Sequence, residues 1–158
     1  MLTSPGYLEL LRTNKTFGRL WGSNMILYIG DWFTVLAMFL LAGEASDDSP
    51  LAIAGVLAVR SFTFAPLEPI TGMLADRYPR KYLMVIANLF SFCVLISFIL
   101  LGLLDNLFSV YILAMLLVVG RATYDPAGTA YLPTICDEEE LLTANALISG
   151  GWSASMGI

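Results

Sequence analysis

The stretch YLMVIANLFSFCVLISFILLGLL, from Tyr82 to Leu104, contains no charged side chain. A helix that crosses roughly 30 Å of hydrocarbon needs about 20 predominantly apolar residues. Inside lipid, only helices and closed barrels satisfy their own backbone polar groups. Barrel strands would alternate apolar and polar residues, and this stretch does not alternate. It therefore predicts a transmembrane α-helix.

Similar apolar runs lie on both sides of this stretch. They occupy residues 17–42, 51–71 and 108–130, and a fifth run begins at residue 141 and reaches residue 158. Residues 1–16 mix polar and apolar side chains, which predicts an amphipathic segment lying on the membrane surface. The sequence therefore predicts an all-α membrane protein in which residues 17–158 form four transmembrane helices plus a truncated fifth.

The composition excludes several classes of function. Hydrophobic residues make up 58% of the chain and charged residues 13%, whereas a soluble domain carries roughly 25% charged residues. There is no histidine, and Cys93 and Cys136 are far apart. No nucleophile, base and metal-ligand set is present, so we expect no enzyme activity, no cofactor and no metal site. No basic patch with interleaved aromatic residues suggests a nucleic-acid partner.

The placement of lysine and arginine predicts the orientation in the membrane. Basic residues precede or open the first helix and follow the second, and the loops after the first and third helices have none. Because cytoplasmic loops are enriched in lysine and arginine, the N-terminus and the loop at residues 75–81 are expected in the cytoplasm. We therefore expect a multi-pass protein of the plasma (inner) membrane. The residues that carry this prediction are Arg12, Lys15, Arg19, Arg77, Arg80 and Lys81.

Prolines and acidic residues predict several helix ends. Pro66 and Pro69 are expected to break the second helix and to leave Glu68 near interfacial water, and Pro126 is expected to bend or end the fourth. Asp137 can cap the fifth helix, with Glu140 completing a capping box.

The loop after the second helix carries a motif. Gly72-Met73-Leu74-Ala75-Asp76-Arg77-Tyr78-Pro79-Arg80-Lys81 resembles the G-x-L-A-D-R-x-x-R-K signature loop of the major facilitator superfamily. Further stretches resemble its drug and siderophore exporter branch. These are Gly30-Asp31-Trp32, Asp125-Pro126-Ala127, Tyr131-Leu132-Pro133 and Glu140-Leu141-Leu142-Thr143-Ala144-Asn145-Ala146-Leu147.

The resemblance implies a fold and a gating role. Members usually have twelve helices in two six-helix halves, so we expect this chain to be an N-terminal fragment whose partner is the C-terminal half of the same transporter. The aspartate matching Asp76 latches the two halves on the cytoplasmic side of the outward-open state. Gly72 would allow close backbone approach. Arg77, Arg80 and Lys81 would position the loop and contact lipid headgroups of the bilayer.

Charges inside the apolar runs are the candidate site residues, because an ionised side chain in lipid costs at least a few kcal/mol. Asp31 and Arg60 both lie roughly 15 Å below the outer face, either as an ion pair that fixes helix packing or with Asp31 as a proton carrier. Arg121 and Asp125 share one face of the fourth helix. They could neutralise each other, Arg121 could bind Asp76, or they could take part in proton coupling. The full set is Asp31, Arg60, Glu68, Arg121 and Asp125.

Three functions remain open on the sequence. The first is proton-coupled efflux of a hydrophobic or amphipathic small molecule, with aromatic side chains of the first helix lining its cavity. The second is uptake of a metabolite or lipid-like cargo within the same superfamily. The third is a membrane scaffold subunit that transports nothing, and the signature loop argues against it.

Overall fold

A computed structural model describes residues 5–157 of the chain. Within these residues the secondary structure is helical and contains no strand, which confirms the predicted all-α class. The described α-helices are α1 (Tyr7–Thr13), α2 (Lys15–Glu44), α3 (Pro50–Arg77), α4 (Arg80–Leu100), α5 (Leu107–Tyr131) and α6 (Glu138–Ser155). Short 3₁₀ turns at Leu103–Asp105 and Leu132–Thr134 follow α4 and α5.

In the described part of the chain, four helices are long and apolar enough to cross a bilayer, namely α2, α3, α4 and α5. They correspond to the predicted runs, but most of them are longer. α2 extends beyond residues 17–42 to Lys15–Glu44, because polar residues at helix ends still satisfy their backbone groups within the helix. α1 and the start of α2 lie in the segment predicted to be amphipathic.

Pro66 and Pro69 do not break α3, so that prediction is wrong. Pro126 does not end α5, and a bend at this residue stays a prediction. α3 continues through Pro66 and Pro69 to Arg77, and α5 continues past Pro126 to Tyr131. In hydrocarbon a broken helix would expose several backbone groups with no water to bind them, so a helix that loses single hydrogen bonds is the cheaper arrangement. The turn between α3 and α4 consequently contains only Tyr78 and Pro79.

The third membrane helix ends earlier than predicted. α4 stops at Leu100, not at Leu104, because Gly102 adopts a left-handed conformation with φ of 62°. Glycine in this conformation directly after a helix is a common stop. Asn106 then accepts a hydrogen bond from the backbone N–H of Phe108 at 2.9 Å, which orders the start of α5.

The chain divides into two compact units, which we describe separately. The first contains the described parts of Met1–Val35 and Tyr131–Ile158. In it, the first part of α2 runs parallel to α6, because Trp21 bonds to Leu147 and Trp32 bonds to Ser155 further along both helices. Parallel neighbours fit two helices that cross a membrane in the same direction.

The second unit contains Leu36–Ala130. In it, the Tyr111 hydroxyl near the start of α5 donates to the Ala52 carbonyl near the start of α3 at 2.9 Å. α4 packs antiparallel to α5 through Gly120, where an added Cβ would lie 3.1 Å from the carbonyl oxygen of Ala87. An apolar core lies near the α2–α3 turn and the start of α5, and its buried members are Met38, Ala42, Val56, Val110, Leu113 and Ala114.

Candidate functional site

Three aromatic rings meet between α2 and α6 in the first unit. The rings of Tyr28 and Trp152 are edge to face, with centroids 5.3 Å apart and planes at 78°. The rings of Trp32 and Trp152 are tilted, with centroids 6.0 Å apart. These separations lie in the range that aromatic pairs favour. We call Tyr28, Trp32 and Trp152 the aromatic cluster.

Local sequence and hydrogen bonds position the cluster. Tyr28 and Trp32 are four residues apart and therefore share one face of α2. The Trp32 indole N–H donates to the Ser155 hydroxyl at 3.2 Å, and that hydroxyl donates to the Trp152 carbonyl at 2.7 Å. Tyr28 is 6% exposed. The cluster is thus a fixed surface and not a set of freely rotating rings. Its partner on α6 could not be identified from the sequence.

Asp31 precedes Trp32 in α2 and is half-buried in the first unit. Arg60 lies in α3, in the second unit, and is also half-buried. Their pairing stays a prediction. Glu68 is exposed in α3, between the two prolines of that helix.

Arg121 and Asp125 form an ion pair, as their spacing predicts. The Arg121 Nε lies 2.9 Å from Asp125 Oδ2, and the side chains are 18% and 37% exposed. The pair neutralises both charges inside an apolar helix, which lowers their cost in lipid. Asp125 stays a candidate for proton coupling, because its carboxylate could bind a proton when the ion pair with Arg121 opens.

The signature loop is mostly helical. Asp76 and Arg77 are exposed in the last turn of α3, and Lys81 is exposed at the start of α4. In residues 5–157 the Asp76 carboxylate forms no ion pair or hydrogen bond, so the bond to Arg121 is not made. A Cβ added at Gly72 would meet nothing within 4 Å. The expected close approach at Gly72 is therefore not seen in the described chain.

Arg80 has a role that the sequence did not reveal. Its Nη1 donates a hydrogen bond to the Ala130 carbonyl near the end of α5. The last carbonyls of a helix carry partial negative charge and lack intrahelical donors, so a guanidinium is a favourable partner there. Arg80 thereby ties the signature loop to the end of α5 within the second unit.

Asn14 is a further residue that sequence reasoning missed. Its side-chain oxygen accepts the Phe17 N–H at 3.0 Å and caps the start of α2. Its amide nitrogen donates to the Ile135 carbonyl at 2.7 Å and to Glu140 Oε2 at 3.0 Å. An asparagine directly before an apolar run is a capping signal. Its contact with the connection before α6 has no sequence signal.

At α6 the structure contains the hydrogen bond of the predicted capping box that runs from the Asp137 backbone to the Glu140 side chain. Glu140 Oε2 accepts the Asp137 N–H at 3.2 Å. Cys136, 7% exposed beside this cap, has a pKa raised from its ordinary 9.0 to about 11, by burial first and then by the negative charges of Glu140 and Asp137. The thiol is therefore protonated and unreactive at neutral pH.

Comparison with known proteins agrees with the helical architecture. A family model described as Major Facilitator Superfamily matches residues 20–158. The uncharacterized MFS-type transporter YfiS of Bacillus subtilis (strain 168) is 26% identical over 140 residues, covering 89% of this chain and 33% of that protein. The chain thus spans about a third of the length of the curated relative it matches. No solved structure matches it. Since the family match takes in all the described helices beyond the start of α2, the chain belongs to the major facilitator superfamily.

Proposed function

We propose that the chain is the N-terminal part of a secondary transporter of the exporter-like branch, which moves a hydrophobic or amphipathic small molecule across the plasma membrane in exchange for protons. The observation that carries the proposal is the aromatic cluster, whose Trp32 directly follows Asp31 in α2. Resemblance of Gly30-Asp31-Trp32 to exporters supports the direction of transport. As in other members, the remaining part of the transport path would come from a second half.

The chemistry of the cluster suits an amphipathic substrate. Ordered rings offer a broad apolar surface at low entropic cost, and their faces attract positively charged groups. Asp31 supplies a carboxylate one residue away, and intramembrane carboxylates commonly carry protons in pumps and transporters. In this mechanism Asp31 binds a proton on the outer side as the substrate leaves, and releases it on the cytoplasmic side as the next substrate binds. Arg121 and Asp125 form the second proton-coupling candidate.

The test is Asp31→Asn in the full-length protein, reconstituted in liposomes with an imposed pH gradient. Asparagine keeps the size of the side chain but carries no titratable proton. We expect this variant to abolish substrate-dependent proton flux, because its side chain can neither bind nor release a proton. Asp48→Asn, in the exposed turn before α3, is the matched control and should leave flux unchanged. Normal flux in the Asp31 variant, with normal insertion, would contradict the assignment.

A further inference from the structure

A groove lies where α1 meets the start of α2. Leu11 of α1 lines one wall, and the remaining lining residues come from α2, namely Lys15, Gly18, Arg19, Trp21 and Gly22. Lys15, Gly18, Arg19 and Gly22 are spaced three and four residues apart and share one face of α2, and both basic residues precede Gly22. We call this feature the α1–α2 groove.

Glycine gives the groove its shape. A Cβ at Gly18 would lie 3.0 Å from the Leu11 carbonyl oxygen, so a side chain there would push α1 away from α2. A Cβ at Gly22 would meet nothing within 4 Å, so that position leaves an open hollow. The Trp21 indole donates to the Leu147 carbonyl at 3.2 Å, which fixes the ring of one wall. The groove is therefore formed before any ligand arrives.

The two ends of the groove differ in polarity. Lys15 and Arg19 are exposed, and in the described part of the chain neither side chain has an ion pair or a hydrogen bond. Beyond Gly22 the same face of α2 continues with Ile26, Ile29 and Phe33, which are 75%, 39% and 65% exposed. One end thus offers two cations, and the other offers an apolar track inside the first membrane-spanning helix.

We propose that the α1–α2 groove is a binding site for one anionic phospholipid. Its phosphate binds Lys15 and Arg19, and an acyl chain lies over Gly22 and along Ile26 and Ile29. A soluble phosphate would occupy only the cationic end and leave the apolar track uncovered, so the lipid is the better match to both ends. Basic residues at the membrane surface each contribute favourably to binding of anionic lipid.

The experiment uses the Trp21 wall as its reporter. Full-length protein in detergent is titrated with phosphatidylglycerol that carries brominated acyl chains, and the loss of tryptophan fluorescence is measured. Subtracting the loss seen in the Trp21→Phe variant gives the quenching of Trp21. We expect saturable quenching, and much weaker quenching by phosphatidylcholine with the same chains. Lys15→Gln with Arg19→Gln should weaken binding roughly 25-fold, about fivefold for each charge. Lys15→Arg with Arg19→Lys, which keeps both positive charges, should not.

A second pair of variants tests the apolar part without changing charge. Gly22→Leu fills the hollow and should weaken binding, whereas Gly150→Leu, on α6 and also with nothing within 4 Å of its Cβ, should not. Equal quenching by both lipids, or no effect of the Lys15 and Arg19 changes, would overturn the site. Displacement of the lipid by inorganic phosphate at millimolar concentration would show a soluble-anion site and would overturn the lipid assignment.

Discussion

Asn14 shows how a single side chain can join distant segments. Its side-chain oxygen caps α2, and its side-chain nitrogen binds the connection before α6. Asn14 and Ile135, which this second bond joins, are 121 residues apart in the sequence. An asparagine amide can satisfy both groups at once because it is a donor and an acceptor. Replacing Asn14 would therefore take one hydrogen-bond donor from the Ile135 carbonyl and one from the Glu140 carboxylate.

We expect Asn14→Ala to destabilise this contact by about 1–3 kcal/mol. Cys136 reports the change, because it lies in the same contact and is 7% exposed. In a Cys93→Ser background, the rate of maleimide labelling should rise with pH towards a midpoint near 11, the raised pKa of the thiol. Asn14→Ala should speed labelling at pH 8 several-fold. Unchanged labelling in this variant would show that Asn14 does not hold the contact closed.

Arg80 makes the same point for the signature loop. The motif predicts a basic residue at this position, and the structure adds its partner, the Ala130 carbonyl. Motif spacing carries no information on that partner, since it lies 50 residues away. Asp31 and Arg60 remain candidates by their burial and position in apolar helices.

Inside a helix, the packing cost of replacing a glycine depends on how close another helix lies. At Gly120 of α5 an added Cβ would meet Ser91 of α4, with the Ala87 carbonyl oxygen at 3.1 Å. At Gly150 of α6 it would meet nothing within 4 Å. Small residues at such crossings let membrane helices approach closely.

The same substitution should therefore have opposite effects at these two positions. Gly120→Ala should destabilise the protein by about 1–3 kcal/mol through overpacking. Gly150→Ala should stabilise it by about 0.5–1 kcal/mol, since alanine has the higher helix propensity. Thermal unfolding in detergent, followed by circular dichroism, measures both. No loss of stability in the Gly120→Ala variant would contradict the packing of α4 on α5.

The helix ends show which local signals compete. Gly102 stops α4 through its left-handed backbone, although the predicted helix ran on to Leu104. Pro66 and Pro69 were predicted to break their helix, and Pro126 to bend or end its own, but α3 and α5 continue through them. These prolines lie inside long apolar helices, where a break would leave several backbone groups without a hydrogen-bond partner.

For the whole transporter, Asp76 is expected to act on a partner outside the described chain. It is exposed at the end of α3, and in residues 5–157 it has no polar partner. The family resemblance assigns the matching aspartate to a latch between the two halves. A latch that stabilises one state by a few kcal/mol controls most of the population.

We expect Asp76→Ala in the full-length protein to shift the population towards the inward-open state. Accessibility of single cysteines placed on the cytoplasmic side of the cavity should rise several-fold, as measured by alkylation in inverted vesicles. Asp48→Ala, in the exposed turn before α3, is the control and should have no effect. Equal accessibility in both variants would remove the latch role from Asp76.

The sequence by itself determined the helical class, the four membrane-spanning helices and the superfamily. These follow from the composition of runs of about 20 residues and from one local motif, so no contact between distant residues is needed to read them. Tertiary structure decided the rest: the aromatic cluster of α2 and α6, the Asn14 and Arg80 contacts, and the α1–α2 groove. Each depends on which faces of two helices meet. Uniformly apolar helices do not encode that choice in their periodicity, because lipid and protein neighbours are equally apolar.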